Sequence, residues 1–272
     1  MTFQPTTVAN ACDCHIHVND PRFPYAAGAD LHPAPATAAD YRALQRVLGT
    51  TRVVVVQPSS YGTDNRCLVD ALAQFGDAAR GIAVVDRTVT DAALQQLHAA
   101  GVRGIRFNLL RPSPVGADDL EPLADRIAGF GWHLQLHAGP QQIAALEPRL
   151  LALAVPTVFD HFGRIDPMAG TAHPAFATIR RLLDAGKAWV KLSGCELDGA
   201  PDAPGYRPHT ALAQALWAAA PERMLWGTNW PHPAAREVVD DAALLRWIGT
   251  VVPDEKSLKA VLATNPSRLY FA

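Results

Sequence analysis

Residues 12 to 18 read CDCHIHV, and two folds compete for this heptapeptide. Two cysteines beside two histidines suggest a Cys/His zinc site. A β-strand instead turns successive side chains to opposite faces, with Cys12, Cys14, Ile16 and Val18 on one side and Asp13, His15 and His17 on the other. The period-two alternation favours the strand. The cysteines are then expected to pack against helices, with both imidazoles on the opposite face.

Similar short runs recur along the chain: VVVVQ (53–57), GIAVV (81–85), GIRFN (104–108), HLQLH (133–137), TVFDH (157–161), AWVKLS (188–193) and RMLWGT (223–228). Between them lie Ala/Leu-rich segments of helical period, such as AADYRALQRVLG, DAALQQLHAAG and FATIRRLLDAG. About eight strand–helix units at this spacing predict an α/β chain folded as a single-domain (β/α)8 TIM barrel over residues 1–272. A doubly wound open sheet is the alternative. No G-x-G-x-x-G or Walker loop follows the first strand, which argues against a nucleotide-binding sheet.

The totals agree with one compact soluble unit. The length of 272 residues matches a barrel, and 49% hydrophobic against 18% charged residues supplies a large core. Lys plus Arg number 24 against 26 Asp plus Glu, with no basic track, so nucleic acid is not an expected partner. No apolar run is long enough to span a bilayer, and the opening MTFQPTTVAN lacks the blocks of a secretory signal. Four cysteines, at 12, 14, 67 and 195, form no disulfide framework and suit a reducing compartment. These features predict a cytoplasmic protein without membrane contact; they do not address its oligomeric state.

Polar residues gather at strand ends: His15, His17, Gln57, Arg106, Asn108, His137, His161, Ser193 and Asn229. Buried strands mostly carry aliphatic residues, so this pattern on most strands points to one shared mouth at their carboxyl ends. The stretches after strands one and seven (19–37 and 194–208) are rich in Pro and Gly and are expected to wall a pocket there. Two imidazoles spaced as in His15-x-His17 can meet one metal ion or flank one substrate.

DCHIH, GIRFN, QLH, FDHFGR, WGTNWPHP and TNPSRLYF together resemble the amidohydrolase superfamily, in its branch of small lactone hydrolases. The resemblance covers residues 11 to 271. It implies a hydrolase acting on the ester bond of a small carboxylated lactone. His15, His17 and His161 match positions around the scissile carbonyl, and Arg106 and Arg111 match arginines that hold substrate carboxylates, a task suited to the planar guanidinium fork. Gln57, Ser59, Tyr61 and Asn65 lie on a segment matching a substrate-contacting loop. His137 matches a metal-ligand position in metal-dependent members, so His15, His17 and His137 supply three nitrogens for one divalent metal, zinc by preference. Other members work without a metal, and both cases stay open.

Two positions depart from the pattern. Asn229 stands where most members carry the aspartate that receives a proton from attacking water, and a carboxamide cannot take that proton. A metal-bound hydroxide, a neutral histidine (His161 first, His137 second), or a substrate hydroxyl in place of water would each answer this. The last describes a lactone isomerase, and a catalytically silent barrel binding a carboxylated metabolite is the reading from another class. After strand seven, Leu197 stands near the position of a further carboxylate-binding arginine, with Arg207 the nearest arginine downstream, which implies fewer or differently placed substrate carboxylates. Asp160 and Arg164 flank His161 and are placed to orient it. Lys191 shares a strand face with Ser193, and Trp230 and His232 lie in the last loop. His32, His98, His133, His173 and His209 carry no signal beyond packing or surface.

Overall fold

Valine-, isoleucine- and leucine-rich runs form the strands β1 (Cys12–Ile16), β2 (Arg52–Val56), β3 (Ala79–Ala83), β4 (Val102–Asn108), β5 (His133–His137), β6 (Thr157–Phe159), β7 (Ala188–Leu192) and β8 (Met224–Trp226). The computed structural model describes residues 4–198, 207–233 and 239–272. All eight strands pair in parallel, in the order β1 to β8. The ring closes where Ile16 bridges Trp230, with His17 N donating to Trp230 O at 2.8 Å and Asn229 N to His15 O at 2.9 Å. The fold is a (β/α)8 barrel.

Helices α1 (Ala38–Leu48), α2 (Arg66–Phe75), α3 (Asp91–Ala99), α4 (Leu120–Ala128), α5 (Pro140–Ala152), α6 (Pro174–Asp184), α7 (Arg207–Ala219) and α8 (Asp241–Val251) follow the strands in turn. Their starts are chemically marked: Thr37 and Asp40 form a capping box at α1, and the Thr90 side chain accepts from Ala93 N at α3. In α2, Cys67, Leu68, Ala71, Leu72 and Phe75 are buried, the spacing of one helical face laid on the sheet. The chain ends with α9 (Glu255–Lys259), a π turn, and α10 (Asn265–Tyr270). No helix among the described residues is long and apolar enough to cross a membrane.

The expected alternation of β1 is corrected at one point. Cys12 and Asp13 pair with Arg52 and Val53, but Ile16 pairs with Val55, so three residues of β1 run against two of β2. Such a bulge resets which face a side chain meets. Cys12 and Cys14 therefore lie in the barrel interior, clustered with Val54, Val56, Ile82, Val158, Leu225 and Tyr270, and not against the helices. Ile16 and Val18 belong to the layer between sheet and helices. All four cysteines are buried and none forms a disulfide.

Tyr270 and Phe271 close the amino-terminal end of the barrel. The Tyr270 ring meets His133 at 5.3 Å, and the guanidinium groups of Arg52 and Arg80 lie over Phe271 at 4.5 and 4.6 Å. The opposite mouth is left for chemistry.

The bulge also sends Asp13 outward, away from the face it was expected to share with His15 and His17. Its carboxylate accepts from Tyr41 Oη of α1 (3.0 Å), Thr228 N (3.0 Å), Thr228 Oγ1 (2.6 Å) and His15 N (3.2 Å), joining the first strand to the segment after the last. Burial pushes this carboxyl up to about 6 against the pull of the Thr228 bonds. Asp13→Ala would strand four buried donors and is expected to lower the unfolding free energy by roughly 2–4 kcal/mol, read from the urea midpoint. A change under about 0.5 kcal/mol would show that the joint contributes nothing.

Candidate active site

Arg106 on β4, His137 on β5, Asp160 and His161 after β6, Lys191 and Ser193 from β7, Asn229 after β8 and the two histidines of β1 converge at the carboxyl-terminal mouth. A cavity of about 70 Å³ opens there, lined among others by His17, Ser59, Arg106, Arg111, His137, His161 and Asn229. Leu31 and Pro33, from the stretch after β1, form part of its wall, as does Leu197 from the loop after β7. Residues 199–206 of that loop lie outside the described residues. Arg207 is exposed at the start of α7 and does not line the cavity. A larger groove, about 740 Å³, lies beside α2 and α3, but no histidine lines it, and the convergent polar chemistry belongs to the smaller cavity.

Hydrogen-bond partners fix several protons. His17 Nδ1 lies 2.9 Å from Val56 O, and since a carbonyl only accepts, the proton sits on Nδ1 and Nε2 is bare. His15 Nε2 is 3.3 Å from that bare nitrogen and donates to it. His15 Nδ1 then accepts from Lys191 Nζ at 3.3 Å, while Nζ also donates to Gln135 Oε1 at 2.7 Å. Burial pulls the Lys191 ammonium down to about 8, opposed by Asp160, so it stays charged at neutral pH. Lys191, His15 and His17 thus form a directed relay that ends on a backbone carbonyl.

Arg106 has a comparable ordering effect. Its Nε donates to Asp160 Oδ2 at 3.2 Å, and its terminal nitrogen lies 3.4 Å from His137 Nδ1. A guanidinium only donates, so His137 carries its proton on Nε2, a buried atom without a hydrogen-bond partner. Asp160 is deeply buried, yet His15, Lys191 and Arg106 outweigh that burial and hold its carboxyl well below the usual range. Its charge is met by Arg106 and Lys191, and it does not orient His161 as its sequence position suggested. Burial, reinforced by the cation of Arg106, holds His17 at about 3 and His137 and His161 well below the ordinary imidazole value. His161 Nδ1 is 2.9 Å from Ser193 Oγ. Gly194, at φ +77°, lets the two meet, because a Cβ there would stand 2.6 Å from the His161 ring.

The loop residues divide. Ser59 Oγ accepts from Asn108 Nδ2 at 2.8 Å and borders the cavity. Gln57 donates to Gly62 O and Asp64 O, the Tyr61 hydroxyl meets the backbone of Asp20, and Asn65 bridges Thr63 O and both backbone groups of Val84. These three shape the loop and do not line the cavity. Arg111 reaches Asp30 Oδ2 at 2.9 Å, so a carboxylate already occupies its fork.

Asn229 adopts φ +69° and turns its Nδ2 toward Glu196 Oε1, 2.7 Å away. Glu196 Oε1 also lies 3.2 Å from His232 Nδ1, and His232 Nε2 is 2.8 Å from Asp241 Oδ1. His161, Phe162, Arg164 and His232 likewise have positive φ, so backbone strain concentrates on the rim. Sequence reading missed Glu196 and Asp30, because neither lies on a strand whose period could aim it. Lys191 was legible only through its parity with Ser193. By distance, His15, Asp160 and His161 form a candidate metal site, with ligand atoms within 4.8 Å of one another.

Burial opposes a charge on His232, but its hydrogen bonds to Asp241 and Glu196 prevail and raise it to about 9. A group protonated more readily when folded stabilises fully below its unfolded value, near 6.5, and the contribution is lost as pH rises through about 9. Stability is expected to fall by roughly 2–3 kcal/mol between pH 7 and 9.5, and His232→Gln to remove most of that slope. Denaturant melts of both proteins across this range are the check; parallel curves would refute the assignment.

The family model for amidohydrolases matches residues 12–272. The chain is 37% identical to a 2-pyrone-4,6-dicarboxylate hydrolase of Comamonas testosteroni, over 97% of this chain and 90% of that one. It is 31% identical to a D-galactarolactone isomerase of Agrobacterium fabrum, over 98% and 92%. A crystal structure of a probable 2-pyrone-4,6-dicarboxylic acid hydrolase from Acinetobacter baumannii, with citric acid bound, superposes with TM-score 0.83 at 28% identity, covering 97% of this chain and all of that one. The chain belongs to the amidohydrolase family.

Proposed function

We propose that this chain hydrolyses the ester bond of a small carboxylated lactone. The observation that carries the reading is a buried, unpartnered His137 Nε2–H in a cavity that also holds two guanidinium groups. A neutral imidazole held in one tautomer is a fixed donor for the oxygen of a polarised carbonyl. Arg111 binds a substrate carboxylate by exchanging it for Asp30, and Arg106 keeps His137 aimed while adding positive field. The family relationship and the relatives' names support the same class of substrate.

The residues present do not fit a divalent metal. Lys191 Nζ stands 3.3 Å from His15 Nδ1 and 3.7 Å from Asp160 Oδ1, so an ammonium already neutralises the carboxylate a cation would use. In the other set, His15 donates to His17, and the proton that Arg106 forces onto His137 Nε2 blocks that nitrogen as a ligand. The histidines polarise and orient through their own protons. Their depressed basicity makes them poor acceptors for a proton from water.

The reading is tested by supplying carboxylated five- and six-membered lactones in ¹⁸O-water. Hydrolysis puts the label into the product carboxylate; a mass-conserving, unlabelled product would mean isomerisation, and no turnover with any lactone would end the reading. Arg111→Ala is expected to raise KM about 10- to 100-fold with little change in kcat, and His137→Ala to lower kcat about 100-fold or more. Dialysis against a strong chelator is expected to leave kcat/KM within about twofold, less than any loss that removal of a catalytic metal would cause. Activity that collapses and returns with zinc would overturn the metal-free assignment.

A further inference from the structure

We propose that Glu196, from the loop after β7, supplies the catalytic carboxylate that position 229 lacks and accepts the proton of the attacking water. The inference rests on the lactone-hydrolase reading above. Glu196 is only 6% exposed, and its Oε1 is committed to Asn229 Nδ2 and His232 Nδ1. Its Oε2 is buried with no hydrogen-bond partner among the described residues. Buried carboxylate oxygens are rarely left without a donor, so Oε2 is a vacant acceptor in the free protein.

Glu196 is not itself among the residues lining the cavity, but it stands directly behind two that are. Asn229 and Leu197, its hydrogen-bond partner and its neighbour in sequence, both line the cavity wall. Because a carboxylate only accepts, Asn229 must turn its NH2 toward Glu196 and its carbonyl oxygen elsewhere. A water held between Asn229 Oδ1 and Glu196 Oε2 then has one O–H oriented by the amide and the other by the carboxylate. Among the other candidates, Asp160 is pinned as an anion by Arg106 and Lys191, and His17, His137 and His161 are all pushed well below the ordinary imidazole value.

The step balances without a co-reactant. The water oxygen bonds to the lactone carbonyl carbon as its proton moves to Glu196 Oε2, and the carbonyl π pair moves to oxygen, toward His137 Nε2–H. Collapse restores the carbonyl and breaks the bond to the ring oxygen, which takes the proton back from Glu196. The product is a ring-opened hydroxy acid that ionises in solvent, and Glu196 ends as it began.

The test relocates the carboxylate. Glu196→Gln is expected to lower kcat about a hundredfold to ten-thousandfold with KM within about threefold. Adding Asn229→Asp to that variant is expected to recover at least about tenfold, and formate to restore part of the rate of Glu196→Ala, neither of which a purely structural residue would allow. Should the glutamine variant not fold, Glu196→Asp, which keeps the charge with a shorter reach, is expected to lower kcat while leaving KM in place. The proposal falls if active wild type and Glu196→Gln agree within about threefold, if neither relocated carboxylate nor formate recovers rate, or if Glu196→Asp has wild-type kcat. A wild type inert toward every lactone would overturn the hydrolase reading itself, a result distinct from any of these.

Discussion

Asp160 lies at 0% exposure, and its charge must be met inside the barrel. A lone buried carboxylate would be driven to its neutral form, and breaking a buried ion pair by removing one partner costs about 3–5 kcal/mol. Arg106 at 3.2 Å and Lys191 at 3.7 Å meet this charge from two different strands. Once it is met, the rest of the mouth is ordered in sequence. Lys191 directs a proton relay through His15 to His17, and Arg106 directs the proton of His137. The site is oriented by buried charge, and the histidines are kept neutral by burial, reinforced by the same cations that hold Asp160 ionised.

Much of this was legible in the residues before any coordinate. Short runs rich in β-branched residues, separated by helical segments, pointed to the barrel, because each strand must bury two faces and each helix one. Arg106, His137 and His161 were legible at the mouth because a polar side chain at the carboxyl end of a buried strand has little else to do. The parity of β1 was not. A bulge is one residue of slack in a hydrogen-bond ladder, set by the partner strand as much as by CDCHIHV itself, and it exchanged the places expected for Asp13 and the cysteines. Gln57, Tyr61 and Asn65 show a different limit: sequence marks a polar side chain but not which backbone group it satisfies. Glu196 was beyond reach because only the folded loop brings it to Asn229.

The cavity's small volume belongs to the same account. At about 70 Å³ it is well under the roughly 300 Å³ at which ligand pockets usually begin. Its wall includes Leu31 and Pro33 from a segment pinned by Arg111 to Asp30, by Ser60 Oγ to Leu31 O, and by the two-way backbone bridge between Asn19 and Ala36. The Arg111–Asp30 pair is partly solvated and contributes little by itself. On the proposed reading, a substrate carboxylate that took Asp30's place at Arg111 would release one of these ties at modest cost.

Asn229 then reads as a requirement of its neighbour. Its Nδ2 is 2.7 Å from a buried glutamate oxygen. An aspartate there would set two carboxylates at hydrogen-bond distance in low dielectric, where they cannot both ionise and must share one proton. That shared proton would occupy the acceptor a hydrolytic site needs empty. The amide avoids the conflict: its NH2 satisfies one glutamate oxygen, its carbonyl turns elsewhere, and the other oxygen is left without a partner among the described residues. With a carboxylate on the β7 loop, the position after β8 is better filled by a neutral donor than by a second acid, and the apparent defect in WGTNWPHP becomes the counterpart of Glu196.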